Sequence, residues 1–128
     1  MKFAKIVFWI AGIWGFLLIT PLYFMFDLIP KKDPPAITHP GFYYGFAGTA
    51  LAWQLAFCFI ASDPVRHRPL MLPSMLEKFS YAIAIVVLVS QRRTHSTDLI
   101  FAAIDGFLGV LFVIAYFRTA SRAVSAPA

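Results

Sequence analysis

LIFAAIDGFLGVLFVIAYF, residues 99–117, runs nineteen residues with a single charge, Asp105. At ~1.5 Å of rise per residue a helix of that length reaches about 28 Å, close to the ~30 Å of a bilayer's hydrocarbon core. Ser96, Thr97 and Asp98 precede it as helix-capping residue types. Upstream, the polar stretch from Gln91 to Asp98 is too short to be more than a turn, so the segment before it is expected as an antiparallel neighbour. That segment is cleanly apolar from Phe79 to Ser90 and is expected to start near Pro73 or Ser74, since proline is tolerated in a helix's opening turn. Glu77 and Lys78 then fall near its beginning, at the headgroup boundary.

Two more apolar runs lie further upstream. Phe42–Ala61 has 20 uncharged residues, and Ile6–Phe26 has 21, bounded by Lys5 and Asp27. The first is longer than the ~7–15-residue apolar region of a signal peptide and ends in Tyr23-Phe24-Met25-Phe26-Asp27, so an uncleaved helix is expected. Pro21 should kink it by removing the bond to the carbonyl of Leu17.

The composition agrees. Hydrophobic residues make up 60% of the 128-residue chain and charged ones only 13%, about half the share of a soluble domain. A small soluble fold could not hide that much apolar surface. The net charge of +5 is carried at the ends of apolar runs, which excludes the basic face of a nucleic-acid binder. Cys58 is the only cysteine, so an intrachain disulfide is excluded.

The fold class expected is all-α: an integral membrane four-helix bundle, antiparallel up-down, with helices at about 6–27, 42–61, 73–90 and 98–118. Residues 1–119 form one domain, and 120–128 are expected as a disordered tail. The connector Leu28–Gly41 holds Pro30, Pro34, Pro35 and Pro40 and should be extended. Lys2, Lys5, Arg66, Arg68, Lys78, Arg118 and Arg122 fall on one side, against Lys31, Lys32, Arg92 and Arg93 on the other. The positive-inside bias puts both termini in the cytoplasm, and a bacterial inner (plasma) membrane is expected rather than a eukaryotic endomembrane. Small residues mark packing seams: Ala11, Gly12 and Gly15 in the first span, Gly45, Gly48, Ala52 and Ala56 in the second, and Ala102, Gly106 and Gly109 in the fourth.

Asp105 is the sharpest chemical feature. It lies about 9 Å into its helix, on the face of Ala102 and Gly109, where insertion scales charge ~2.5–3.5 kcal/mol for a carboxylate at mid-bilayer. With every Lys and Arg assigned to the flanks, it is expected to lack a basic partner and to meet neutral groups at its own depth: Thr20 and Tyr23, Thr49, and Tyr81. Gln54 beside Trp53, near the middle of the second span, suits an interhelical hydrogen bond or the polar group of an apolar ligand. Glu77 suits an interfacial position near a helix N-terminus. His39, His67 and His95 lack ligand spacing, so no metal is expected, nor any cofactor. Arg66-His67-Arg68 suits contact with membrane lipid headgroups.

A first span ending in Phe24-Met25-Phe26-Asp27, a proline-bearing loop, Trp53-Gln54-Leu55-Ala56-Phe57 in the second span and a basic turn into the third together resemble the EXPERA-domain family, four-helix membrane proteins of the emopamil-binding-protein type. The resemblance covers most of the chain and implies cytoplasmic termini and a bundle cavity lined by acidic residues. Family members bind sterol-like or cationic amphiphilic ligands there, and some isomerise sterols. It points to Asp27, Gln54, Glu77 and Asp105. The short first loop and the absence of an acidic residue in the second span depart from the family's pattern and count against isomerase activity. The alternative is a separate small membrane-protein family.

The leading functional expectation is a binding protein for a lipophilic or amphiphilic small molecule, held in a cavity polarised by Asp105. The second is an accessory subunit of a larger membrane complex, and the third a homo-oligomeric proton or ion transporter.

Overall fold

The computed structural model describes residues 1–125, all of whose regular structure is helical. Helix α1 spans Lys2–Ile19, and the short α2 spans Ile29–Lys32. Helices α3 (Pro40–Ser62), α4 (Met71–Ser90) and α5 (Leu99–Ser125) follow. With their flanking 3-10 turns, α1, α3, α4 and α5 are each long and apolar enough to cross a membrane.

Several boundaries differ from the sequence reading, each for a local reason. The chain leaves α-helical geometry at Ile19 and continues as a 3-10 helix over Thr20–Phe24, because Pro21 has no N–H to return to Leu17. Asp27 therefore lies beyond the first span. The proline-rich connector contains one helical turn, α2, with Pro30 in its opening positions, where a missing N–H costs nothing. A 3-10 turn over Arg68–Leu70 lets α4 begin at Met71. Glu77 and Lys78 are thus the seventh and eighth residues of α4, further into the helix than the first turn or so expected of them. At the other end, α5 continues to Ser125 through most of the segment expected as a tail, and residues 126–128 lie outside the described residues.

The helices pack as two antiparallel hairpins. Along one, α1 lies close against α3; along the other, α4 lies against α5; α1 joins the two by contacting α5, while α3 and α4 scarcely touch. The ring of four is therefore open between α3 and α4.

Close approach within each hairpin depends on glycine. A methyl group on Gly12 would stand 2.8 Å from Cys58 Sγ and 3.2 Å from the Gln54 carbonyl oxygen, and one on Gly109 would stand 2.8 Å from the Phe79 ring. The α1 and α5 seams thus match their small-residue stripes. The α3 seam does not. Its buried face is Ala47, Ala50, Gln54, Phe57, Ile60 and Ala61, while Gly45 and Ala52 are exposed. Small size alone did not identify which face meets a neighbour.

The core is uneven along the bundle axis. Where the chain termini lie, Ala4, Val7, Phe8 and Ala11 of α1 meet Phe57, Ile60 and Ala61 of α3, Met71 of α4, and Leu108, Phe112 and Ala115 of α5. Phe8 stacks on Phe112 with ring centroids 4.2 Å apart, and Phe57 meets Phe112 edge-on at 5.1 Å. Arg68 adds a lid to this end, donating from Nε to the Tyr116 carbonyl at 3.1 Å with its guanidinium 3.7 Å over the Tyr116 ring. Toward the opposite end the buried cluster shrinks to Ile19, Ala47 and Ala50, all within the first hairpin.

Candidate functional site

The gap between the hairpins is a cavity of about 700 Å³, walled by all four long helices. Trp14, Gly15, Leu18 and Ile19 come from α1, and Phe42 to Gln54 contribute one face of α3. From the second hairpin come Pro73, Leu76, Glu77, Lys78, Ser80 and Tyr81 of α4, with Phe101, Ile104 and Asp105 of α5. Phe42, Phe46 and Leu76 are 79%, 50% and 69% exposed, so the wall stands open along the α3–α4 side. The volume falls within the ~300–1,000 Å³ typical of small-molecule sites, and mostly apolar walls with a few converging polar groups are their usual chemistry.

The charged groups gather at the bottom. Lys78 Nζ donates to Asp105 Oδ1 at 3.2 Å and stands 3.3 Å from Glu77 Oε2, an ionic contact without hydrogen-bond geometry. The Lys78 side chain is 6% exposed, and those of Asp105 and Glu77 are 17% and 21% exposed. Below the ammonium lies the Phe57 ring, its centroid 5.2 Å away, so the charge rests on the aromatic plug and faces the cavity above it.

Asp105 therefore has a basic partner, which corrects the sequence reading. The sequence puts Lys78 at the headgroup boundary, but it shares a buried stripe with Met71 and Ser74, two turns and one turn earlier on α4, and projects into the bundle. Two carboxylates share one ammonium. With both acids ionised the cluster carries one net negative charge.

Gln54 is 2% exposed and stands opposite this cluster. Its Nε2 donates to the Ala50 carbonyl at 2.8 Å, which fixes the amide's orientation and leaves Oε1 without a hydrogen-bond partner. The amide lies across α1 at Gly15. A methyl group there would come within 1.7 Å of Oε1, so only glycine admits Gln54 in this pose.

Of the nine residues singled out in the sequence, Asp105, Gln54, Trp53, Glu77, Thr49 and Tyr81 line the cavity. Thr20, Tyr23 and Asp27 do not. Thr20 and Asp27 are exposed, and Tyr23 joins an aromatic group on the first hairpin with Phe26, Tyr43 and Tyr44. In that group Tyr43 donates its hydroxyl to the Leu22 carbonyl at 2.5 Å. Depth matching sets Thr20 and Tyr23 beside Asp105, and the family resemblance adds Asp27, but the α1 wall of the cavity ends at Ile19, short of all three. Lys78 is the residue the sequence reading missed.

Across the cavity's far end the hairpins are linked through His95. His95, between α4 and α5, places Nε2 2.8 Å from Asp33 Oδ1 and 3.5 Å from the Pro34 carbonyl oxygen, in the connector before α3. Among the described residues no three His, Cys, Asp or Glu side chains gather as a metal site. Compared with known families, curated proteins and solved structures, the chain matches none of them.

Proposed function

We propose that this chain is a multi-pass integral membrane protein that binds a lipophilic or amphiphilic small molecule in the cavity between its two hairpins. The observation that carries this reading is the conjunction of an apolar cavity of about 700 Å³, open between α3 and α4, with a polar cluster at its base. A chain seated in a bilayer with that opening admits its ligand sideways from the lipid. The apolar body lies against Trp14, Phe46, Trp53 and Phe101, and the polar end reaches Glu77, Lys78 and Asp105. A filled bundle would have favoured the role of an accessory subunit, whose contacts need no internal space.

Both termini lie on the cytoplasmic side in this reading. Lys78 no longer counts toward the flanks because it pairs inside the bundle, so the terminal side holds six Lys and Arg against four. The bias keeps its sign and loses strength.

Tryptophan fluorescence tests the binding. Trp14 and Trp53 border the cavity, whereas Trp9 is 44% exposed and not among the lining residues. In a Trp9→Phe background reconstituted in nanodiscs, 16-bromohexadecan-1-ol should quench saturably at low probe-to-lipid ratio. Asp105→Asn, with helicity preserved by circular dichroism, should weaken that quenching about tenfold, the scale of one charge-assisted hydrogen bond of ~1.5 kcal/mol. Quenching that rises linearly with probe content, without saturation, would show bulk partitioning and sink the proposal.

A further inference from the structure

Five lysines occur in the chain, and four of them, Lys2, Lys5, Lys31 and Lys32, are exposed. Lys78 alone is turned inward, with its amine at the base of the cavity. Keeping three ionisable side chains together deep in an apolar bundle is costly, and well-packed apolar residues of similar volume would hold α4 to α5 as well or better. The arrangement also meets the needs of one covalent chemistry. A primary amine is screened from bulk water, a carboxylate oxygen lies within proton-transfer distance at 3.2 Å, a second carboxylate is 3.3 Å away, and an apolar cavity leads off from the nitrogen.

We propose that Lys78 is a covalent anchor for a lipophilic aldehyde, held as a protonated imine with Asp105 and Glu77 as counter-ions. The inference rests on the reading that the cavity accepts a lipophile and goes beyond it. Asp105 takes one proton from the Lys78 ammonium, and the freed lone pair forms a C–N bond to the carbonyl carbon as the C=O π pair moves onto oxygen. A proton passes from nitrogen to that oxygen, giving a neutral carbinolamine. Asp105 returns its proton to the hydroxyl, the C–O bond breaks, water leaves, and the nitrogen lone pair closes the C=N bond. One aldehyde and one ammonium give one iminium and one water, with charge conserved and no redox change. The iminium keeps one N–H for Asp105, and the sparse water of the site slows its hydrolysis.

The test uses the full chain in nanodiscs with hexadecanal and cyanoborohydride, which reduces an imine to a stable secondary amine. One hexadecyl group per chain should appear by intact mass and map to Lys78, well before Lys2, Lys5, Lys31, Lys32 or the N-terminal amine reacts. Lys78→Arg, which keeps the cation, should abolish the adduct. Asp105→Asn should slow its formation about 100-fold, the scale of a lost general acid–base. An unlabelled Lys78, or one labelled no faster than the exposed lysines, overturns the anchor. If 16-bromohexadecan-1-ol still quenches Trp14 and Trp53 saturably in that case, only the covalent inference fails; if it does not, the binding proposal fails as well.

Discussion

The two ends of this bundle are built on opposite principles. At the terminal end Phe8, Phe57 and Phe112 fill the space among α1, α3 and α5, and none of the three lines the cavity. At the far end the hairpins separate around the cavity and meet, among the described residues, through the exposed contacts of His95 with Asp33 and Pro34. Between bilayer-embedded helices there is little hydrophobic drive to close a gap, since lipid is as apolar as a leucine side chain. Contact there must come from shape, and the chain supplies matching shape at one end only. The Lys78 cluster lies at the boundary, resting on the plug and facing the cavity.

Breaking that boundary should have the largest effect. Lys78→Met leaves Glu77 and Asp105 without their shared cation in an apolar site, and removing one member of a buried ionic group costs about 3–5 kcal/mol. Thermal unfolding in detergent, followed by circular dichroism, should show a large fall in midpoint. A triple variant, Lys78→Met with Glu77→Gln and Asp105→Leu, should recover most of it, because the group then no longer holds uncompensated charge. If the triple variant is no more stable than Lys78→Met alone, the loss comes from packing, and the boundary is not electrostatic.

Phe112→Ala attacks the plug instead. Large-to-small substitution in a water-soluble core costs about 3–5 kcal/mol, part of it transfer from water and part the void. With the four long helices in a bilayer, as proposed above, the transfer part is small, so a loss at or below about 3 kcal/mol is expected. The same variant should leave saturable quenching of Trp14 and Trp53 nearly intact. A collapse of probe binding with little loss of stability would mean that the two ends are not separable.

What the sequence disclosed, and what it did not, follows the same division. The number and approximate positions of the four long apolar helices were legible from the lengths of the apolar runs, and the α1 and α5 seams because glycine permits close approach. The α3 seam was misread, since its contact face is defined by large residues: Gln54, fitted to Gly15 of α1, and Phe57, packed on Phe8 and Phe112. Lys78 was misread through a helix start placed two or three residues late. From Met71, the spacing Met71, Ser74, Lys78, Tyr81 puts the lysine on one face with a tyrosine that lines the cavity, a signal available without coordinates. The misplacement of Thr20 and Tyr23 had no such remedy. Depth along a helix can be counted in residues, but the angle between two hairpins is set by side chains meeting at the far end of the bundle.

The smallest effect should come from the link that spans the splayed end. His95 and Asp33 are 59% and 56% exposed in their side chains, so solvent screens the pair and its contribution to stability should be about 0–1 kcal/mol. His95→Ala should therefore leave the unfolding midpoint almost unchanged. Its consequence should instead appear in kinetics, because this pair and the 3.5 Å approach of the same imidazole to the Pro34 carbonyl oxygen are the polar contacts that tie the connector before α3 to the α4–α5 turn. Freed of them, the hairpins separate more readily at the end where they are already unpacked. Stopped-flow quenching by 16-bromohexadecan-1-ol should then speed up by at most about fivefold, the ratio that ~1 kcal/mol can supply. An unchanged rate would show that the opening is set wholly by the plug at the opposite end, and that the loops merely follow the helices they join.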